Sequence, residues 1–143
     1  MKEHNGFMSA LADGATRRRP RHEEDDLQRA CVRLFGYLWP ALAPLLHHSP
    51  NEGLLPKTAR DGAKRKAMGT RAGFPDLVLL VPAGDYPYLC IELKTPAGRL
   101  SESQKAYREA VCRAGGLYAV CRSAEEFETT VRAYLAGHKK EEP

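Results

Sequence analysis

The chain predicts an α/β domain, a mixed central sheet of three or four strands flanked by helices. Three features carry that prediction. Leu77-Val78-Leu79-Leu80-Val81 is an unbroken apolar run between Pro75 and Pro82, the pattern of a buried strand. Residues 88–95 and 117–121 have the length and alternation of two further strands. Flanking segments repeat their apolar residues every three or four positions, as helices with one buried face do.

Taken in order, residues 1–20 lack any period and are rich in Gly, Ala and Arg, which predicts a flexible basic arm. Residues 23–39 read as a helix through Leu27, Cys31, Leu34 and Leu38, ended by Pro40. Tyr37 and Trp39 are expected in the core. Leu45-Leu46-His47-His48 suggests an edge strand, whose alternation turns one histidine inward and one outward. Residues 51–73 are polar, basic and broken by Gly53, Pro56, Gly62 and Gly69, which predicts a long loop. Gly84-Asp85 falls in the turn between the first two core strands, and Pro96-Ala97-Gly98 closes the second. Ser101-Glu102-Ser103-Gln104 fits a capping box at the start of a helix with a stripe of Tyr107, Ala110, Val111 and Ala114, stopped by Gly115-Gly116. After the third core strand, Ser123-Ala124-Glu125-Glu126 opens a last helix that buries Phe127, Val131, Tyr134 and Leu135. The domain is expected over 21–137, with a charged tail at 138–143. There are no internal repeats.

With 143 residues, 43% hydrophobic and 28% charged, the chain suits one soluble domain with a core of its own. No apolar stretch is long enough for a membrane span and no secretory signal opens the sequence, so a cytoplasmic protein is expected. Cys31, Cys90, Cys112 and Cys121 have no zinc spacing and sit among apolar residues, as reduced cysteines do. His47 and His48 lack a third ligand, which argues against zinc. The net charge of +4 is concentrated in Arg17, Arg18, Arg19 and Arg21, and again in Lys57, Arg60, Lys64, Arg65, Lys66 and Arg71. Such clusters suit a polyanion, although solvated loops are equally compatible with charge alone.

The strand Tyr88-Leu89-Cys90-Ile91-Glu92-Leu93-Lys94 is where chemistry concentrates. Alternation puts Cys90, Glu92 and Lys94 on one face, with the acid and the amine about 6.6 Å apart along the strand. Asp76 opens the preceding strand after Gly73-Phe74-Pro75, and pairing of the two strands would let Asp76 and Glu92 converge. Converging carboxylates beside a lysine suit a hard cation such as Mg2+, which neutralises a phosphodiester and activates water. The plain alternative is a surface salt bridge on an edge strand.

These residues resemble a known signature. Gly73-Phe74-Pro75-Asp76, sixteen positions before Glu92 of Glu92-Leu93-Lys94, is similar to the PD-(D/E)xK nuclease motif. Gly98-Arg99-Leu100-Ser101, Gln104 and Gly115-Gly116 extend the similarity to the stand-alone VRR-Nuc branch, from about Glu24 to Leu135. The resemblance implies a restriction-endonuclease-like core and a Mg2+- or Mn2+-dependent endonuclease. Asp76, Glu92, the backbone carbonyl of Leu93 and, from the first helix, Glu24 would hold the metal. Lys94 would be the catalytic lysine, with Gln104 beside it. For Glu24 the alternative is an acid complementing the helix dipole, and Glu23, Asp25 and Asp26 compete with it. For Gln104 the alternative is the cap alone. Gln28, Asn51, Lys57, Arg60, Lys64, Arg65, Lys66 and Arg71 are the candidate nucleic-acid contacts. Stand-alone members cut branched DNA such as Holliday junctions as homodimers, so branched DNA and a second copy are the expected partners. A catalytically silent binding module and an RNA endonuclease are the competing readings on the same fold.

Overall fold

The computed structural model describes residues 20–50 and 58–137. The predicted arm before Pro20, the tail after Gly137, and Asn51 and Lys57 lie outside them. Helix α1 spans Pro20–Leu38, with proline at its first position, where the missing N–H costs nothing. Its buried line is Cys31 and Phe35, with Leu27 packed against the same cluster. Trp39 joins that core and its ring tilts against Phe35 at 5.2 Å. Tyr37, expected inside, is 84% exposed. Two residues beyond Phe35 is about 200° round the helix, so both rings cannot face the core.

A 3-10 turn, Pro40–Leu45, leads into the three-residue strand β1, Leu46–His48. His47 and His48 are both exposed, against the expected alternation. β1 lies at the edge of the sheet, and neither of its faces is covered over the last two residues. The stretch predicted as continuous loop contains a helix, α2, Ala59–Ala67. It carries no apolar period, so its signal lies only in its ends. The Thr58 hydroxyl accepts from Asp61 N at 3.1 Å, and Gly69, at φ 103°, allows the paired bonds Gly69 N to Lys66 O and Thr70 N to Arg65 O. No α2 residue is buried.

Strand β2 is Leu77–Leu79, shorter than the apolar run, because Leu80 turns outward and is 56% exposed. The chain reverses through Gly84-Asp85, where Ala83 and Tyr86 exchange backbone bonds, and enters β3, Leu89–Leu93, all five residues buried. Helix α3, Glu102–Arg113, β4, Leu117–Cys121, and α4, Ala124–Ala136, complete the chain. The sheet order is β1-β2-β3-β4, antiparallel except for the β3–β4 pair, which is parallel and bridged by α3.

Alternation divides the sheet between two cores. Leu77, Leu79, Leu89, Ile91 and Leu93 face Cys31 and Phe35 of α1 and Phe127, Val131 and Tyr134 of α4. Val78 and Cys90 face Val111 and Tyr107 of α3. The expected α3 stripe is shifted: Gln104 and Val111 are buried, whereas Ala110 and Ala114 are exposed. A polar residue heads the buried line, which an apolar count passes over. Ser123 caps α4 at Glu126 N, but the Glu126 carboxylate accepts from Arg122 N at 2.8 Å, so the second capping box is half formed. All four cysteines are free thiols. Cys31, Cys90 and Cys121 are buried as expected, and Cys112 is exposed on α3. No helix among the described residues is long and apolar enough to cross a membrane.

Candidate active site

The site forms where β2 begins and β3 ends, on the α3 face of the sheet. Gly73 has φ 80°, and a Cβ there would stand 2.2 Å from the Ser103 carbonyl oxygen. The chain thus lies directly on the first turn of α3, a contact open only to glycine. Phe74 packs edge-on against Tyr107 at 5.4 Å and Pro75 is fully buried, which sets the entry to β2. Asp76 follows. Its Oδ2 accepts from Leu93 N at 2.7 Å, and its carbonyl lies 2.8 Å from His48 Nδ1. The ladder pairs Leu77 with Ile91, and one further step sets Asp76 opposite Glu92. Side chains directly opposed in an antiparallel pair share a face, with Cβ atoms about 5 Å apart.

Glu92 is 2% exposed on the central strand, so the alternative of an edge-strand surface pair does not hold. Burial of a charged carboxylate costs several kcal/mol unless donors replace water, on the order of what a lost buried ion-pair partner costs. Here they do. Gln104 Nε2 donates to Oε1 at 2.7 Å, Lys94 Nζ stands 3.5 Å from the same oxygen, and Tyr118 OH donates to Oε2 at 3.4 Å. The Lys94 side chain is itself only 11% exposed. Gln104 also accepts from Ser101 N at 2.8 Å, so it caps α3 with one atom and holds Glu92 with another. Its amide orientation follows from these partners, since a backbone N–H requires the oxygen and a carboxylate the nitrogen. Burial pushes the Tyr118 phenol well above its usual range. The Glu92 charge and hydrogen bond and the Asp76 charge add to the shift.

The oxygen-only set of Asp76 and Glu92 fits a hard divalent ion. Mg2+ takes one or two carboxylates and completes its shell with water and substrate phosphate. Among the described residues no three His, Cys, Asp or Glu side chains form a group able to hold an ion. Glu24 is thus not brought into such a group: it stands half-buried on α1, one turn before half-buried Gln28. Any further ligands would come from backbone, solvent or substrate.

A model of the VRR-NUC domain matches residues 19–125. The chain belongs to the VRR-NUC domain family. A solved structure described as a VRR_NUC domain protein superposes with a TM-score of 0.70 at 25% identity, covering 81% of this chain and 90% of that one. No curated protein matches. The restriction-endonuclease-like architecture expected from the sequence is therefore the fold of this VRR-NUC domain, a nuclease-family fold.

Three residues around Asp76, Glu92 and Lys94 were not anticipated from the sequence. Tyr118 was legible in principle, because alternation along β4 places it on the face of Cys90, its partner in the ladder. His48 touches Asp76 only through the register of a short edge strand, which leaves no local trace. Arg122 Nη1 donates to the carbonyls of Thr95 at 2.8 Å and Gly98 at 2.6 Å, holding the loop after Lys94, and no motif announces it. Of the expected nucleic-acid contacts, Arg60, Lys64 and Lys66 project from α2 into solvent and Arg65 is half-buried. Arg71 is exposed, with Nη1 donating to Lys66 O at 3.0 Å, so it also closes the end of α2.

Proposed function

We propose that this VRR-NUC domain is a structure-selective DNA endonuclease that uses Mg2+ or Mn2+ to hydrolyse phosphodiesters in branched DNA, with four-way (Holliday) junctions as substrate. One observation carries the reading: a buried Glu92, restrained on both oxygens, beside Lys94 and across the strand from Asp76. Stability does not account for it, since a buried ion pair is commonly no better for folding than apolar residues of the same volume. Charged groups held dry and converging are the usual mark of a reaction site.

Asp76, Glu92 and the carbonyl of Leu93 would hold the ion, with Glu24 acting only through a bound water. A divalent ion bound there supplies charge neutralisation at the phosphodiester and a more acidic water. Lys94 would orient the attacking water, and its ammonium would offset charge growing on the phosphorane-like transition state. Gln104 keeps Glu92 and the start of α3 in register with Lys94. In-line attack leaves a 5′-phosphate and a 3′-hydroxyl. The basic residues of α2, with Asn51, Lys57 and Arg71, guide the phosphate backbone toward Asp76, and Gln28 contacts the strand from α1. A compact domain that meets DNA through charge reads shape more readily than base sequence, and a homodimer would present two sites to the two-fold symmetry of a junction.

The test is a cleavage panel of four-way junction, linear duplex, single-stranded DNA and folded RNA, with and without Mg2+, beside Lys94→Ala. Mg2+-dependent cutting of the junction by a dimer, abolished in Lys94→Ala with folding and DNA binding retained, is expected. Equal cutting of linear duplex by a monomer, preference for RNA, or wild-type rates in Lys94→Ala would overturn the reading.

A further inference from the structure

We infer that Tyr118 is a positioning residue for Glu92, orienting the carboxylate toward the divalent ion through a hydrogen bond to Oε2. The inference rests on the reading that Glu92 ligates that ion. Parallel pairing sets Tyr118 beside Cys90, one diagonal step from Glu92 on the same face. A phenol spans such a diagonal, where shorter side chains do not. Its hydroxyl reaches Glu92 Oε2 at 3.4 Å, on the side of the carboxylate opposite the Gln104 amide, which holds Oε1 at 2.7 Å.

The terminal torsion of glutamate is broad and roughly two-fold, so its own rotamer does not set the carboxylate plane. One donor fixes the position of one oxygen and leaves the other to swing. Two donors on different oxygens fix the plane. Gln104 is bound in turn by its cap to Ser101, and Tyr118 by its ring, which packs against the cluster of Val78, Cys90 and Val111. Glu92 is therefore held between a helix start and a neighbouring strand, as outer partners hold the ligands of metal sites. Tyr118 touches Glu92 and not the reacting atoms, so its effect passes through the acid.

Tyr118→Phe keeps the ring in its cluster and removes only the hydroxyl. Titrating the full-length chain with Mg2+ and Mn2+ by calorimetry should show affinity about 10-fold weaker in the variant, the low end for loss of an outer partner. The Mg2+ concentration for half-maximal cleavage should rise by a similar factor. Saturating Mg2+ should restore kcat, and the KM for DNA should stay at its wild-type value. In a Glu92→Gln background, Tyr118→Phe should change cation binding no further. Wild-type cation affinity in Tyr118→Phe, or an altered thermal midpoint with that affinity intact, would overturn the inference alone. A wild-type chain that binds neither ion would overturn it together with the nuclease reading.

Discussion

Gly73 shows how one residue without a side chain can assemble a site. It lets the segment that carries Asp76 rest on the backbone of Ser103, one residue before Gln104. Gly73→Ala combines a disfavoured positive φ with a clash against backbone that cannot swing aside. Urea unfolding should show a loss of about 2–4 kcal/mol, and cleavage should fall as Gln104 is pushed from Glu92. Gly36 provides the contrast. A Cβ there meets nothing within 4 Å, in the interior of α1. Gly36→Ala should stabilise the protein by up to about 1 kcal/mol, the ordinary helix preference for alanine. Should both variants behave alike, close approach at Gly73 is not what matters.

Among the elements, α2 differs from the other helices. α1, α3 and α4 bury a face against the sheet, whereas α2 buries no side chain and is closed by Thr58 and the Gly69 turn. A nine-residue helix without tertiary packing is marginal in water. Hydrogen exchange should be markedly faster over 59–67 than over β3, and Thr58→Ala should cost the helix about 1 kcal/mol. Slow exchange in α2 matching the central strand would contradict this account. Because its cations face solvent, replacing Arg60, Lys64 or Lys66 by Ala should weaken DNA binding. Each lost phosphate contact should reduce the slope of log K against log salt by about 1. An unchanged slope in all three would remove α2 from the binding surface.

At the scale of the whole molecule, the two cores hold groups that resist alkali. Burial pushes the Cys31 thiol up from 9.0 to about 12, with the charge of Cys121 adding, and Cys90 to about 11, with Cys112 adding. The Tyr118 phenol is raised as well, first by burial and then by Glu92. In each case the folded state holds its proton more tightly than the unfolded chain. The contribution is therefore complete below the unfolded pKa and is lost as pH rises toward the folded one. Stability should be level with respect to these groups at neutral pH and decline from about pH 9 upward. Denaturation series at pH 7, 9 and 10.5 would check this. Cys31→Ala should flatten the decline, and a stability that climbs over that interval would contradict the assignment.

The sequence alone determined what depends on neighbours along the chain. The apolar run before Pro82, the alternation through Glu92 and Lys94, and the cap at Ser101 are local patterns, and they located three core strands and three helices. The acids, the lysine and the cap glutamine were legible for the same reason, each standing at a fixed place in such a pattern. Burial of Glu92 on an inner strand, its two-sided restraint by Gln104 and Tyr118, and the support of Asp76 by His48 were settled only by tertiary structure. These depend on strand order and on which helix covers which face, contacts between residues far apart in the chain that no local period encodes. The helix α2 and the outward Tyr37 mark the same boundary: without a period there was no signal for the first, and helical phase, not side-chain type, decided the second.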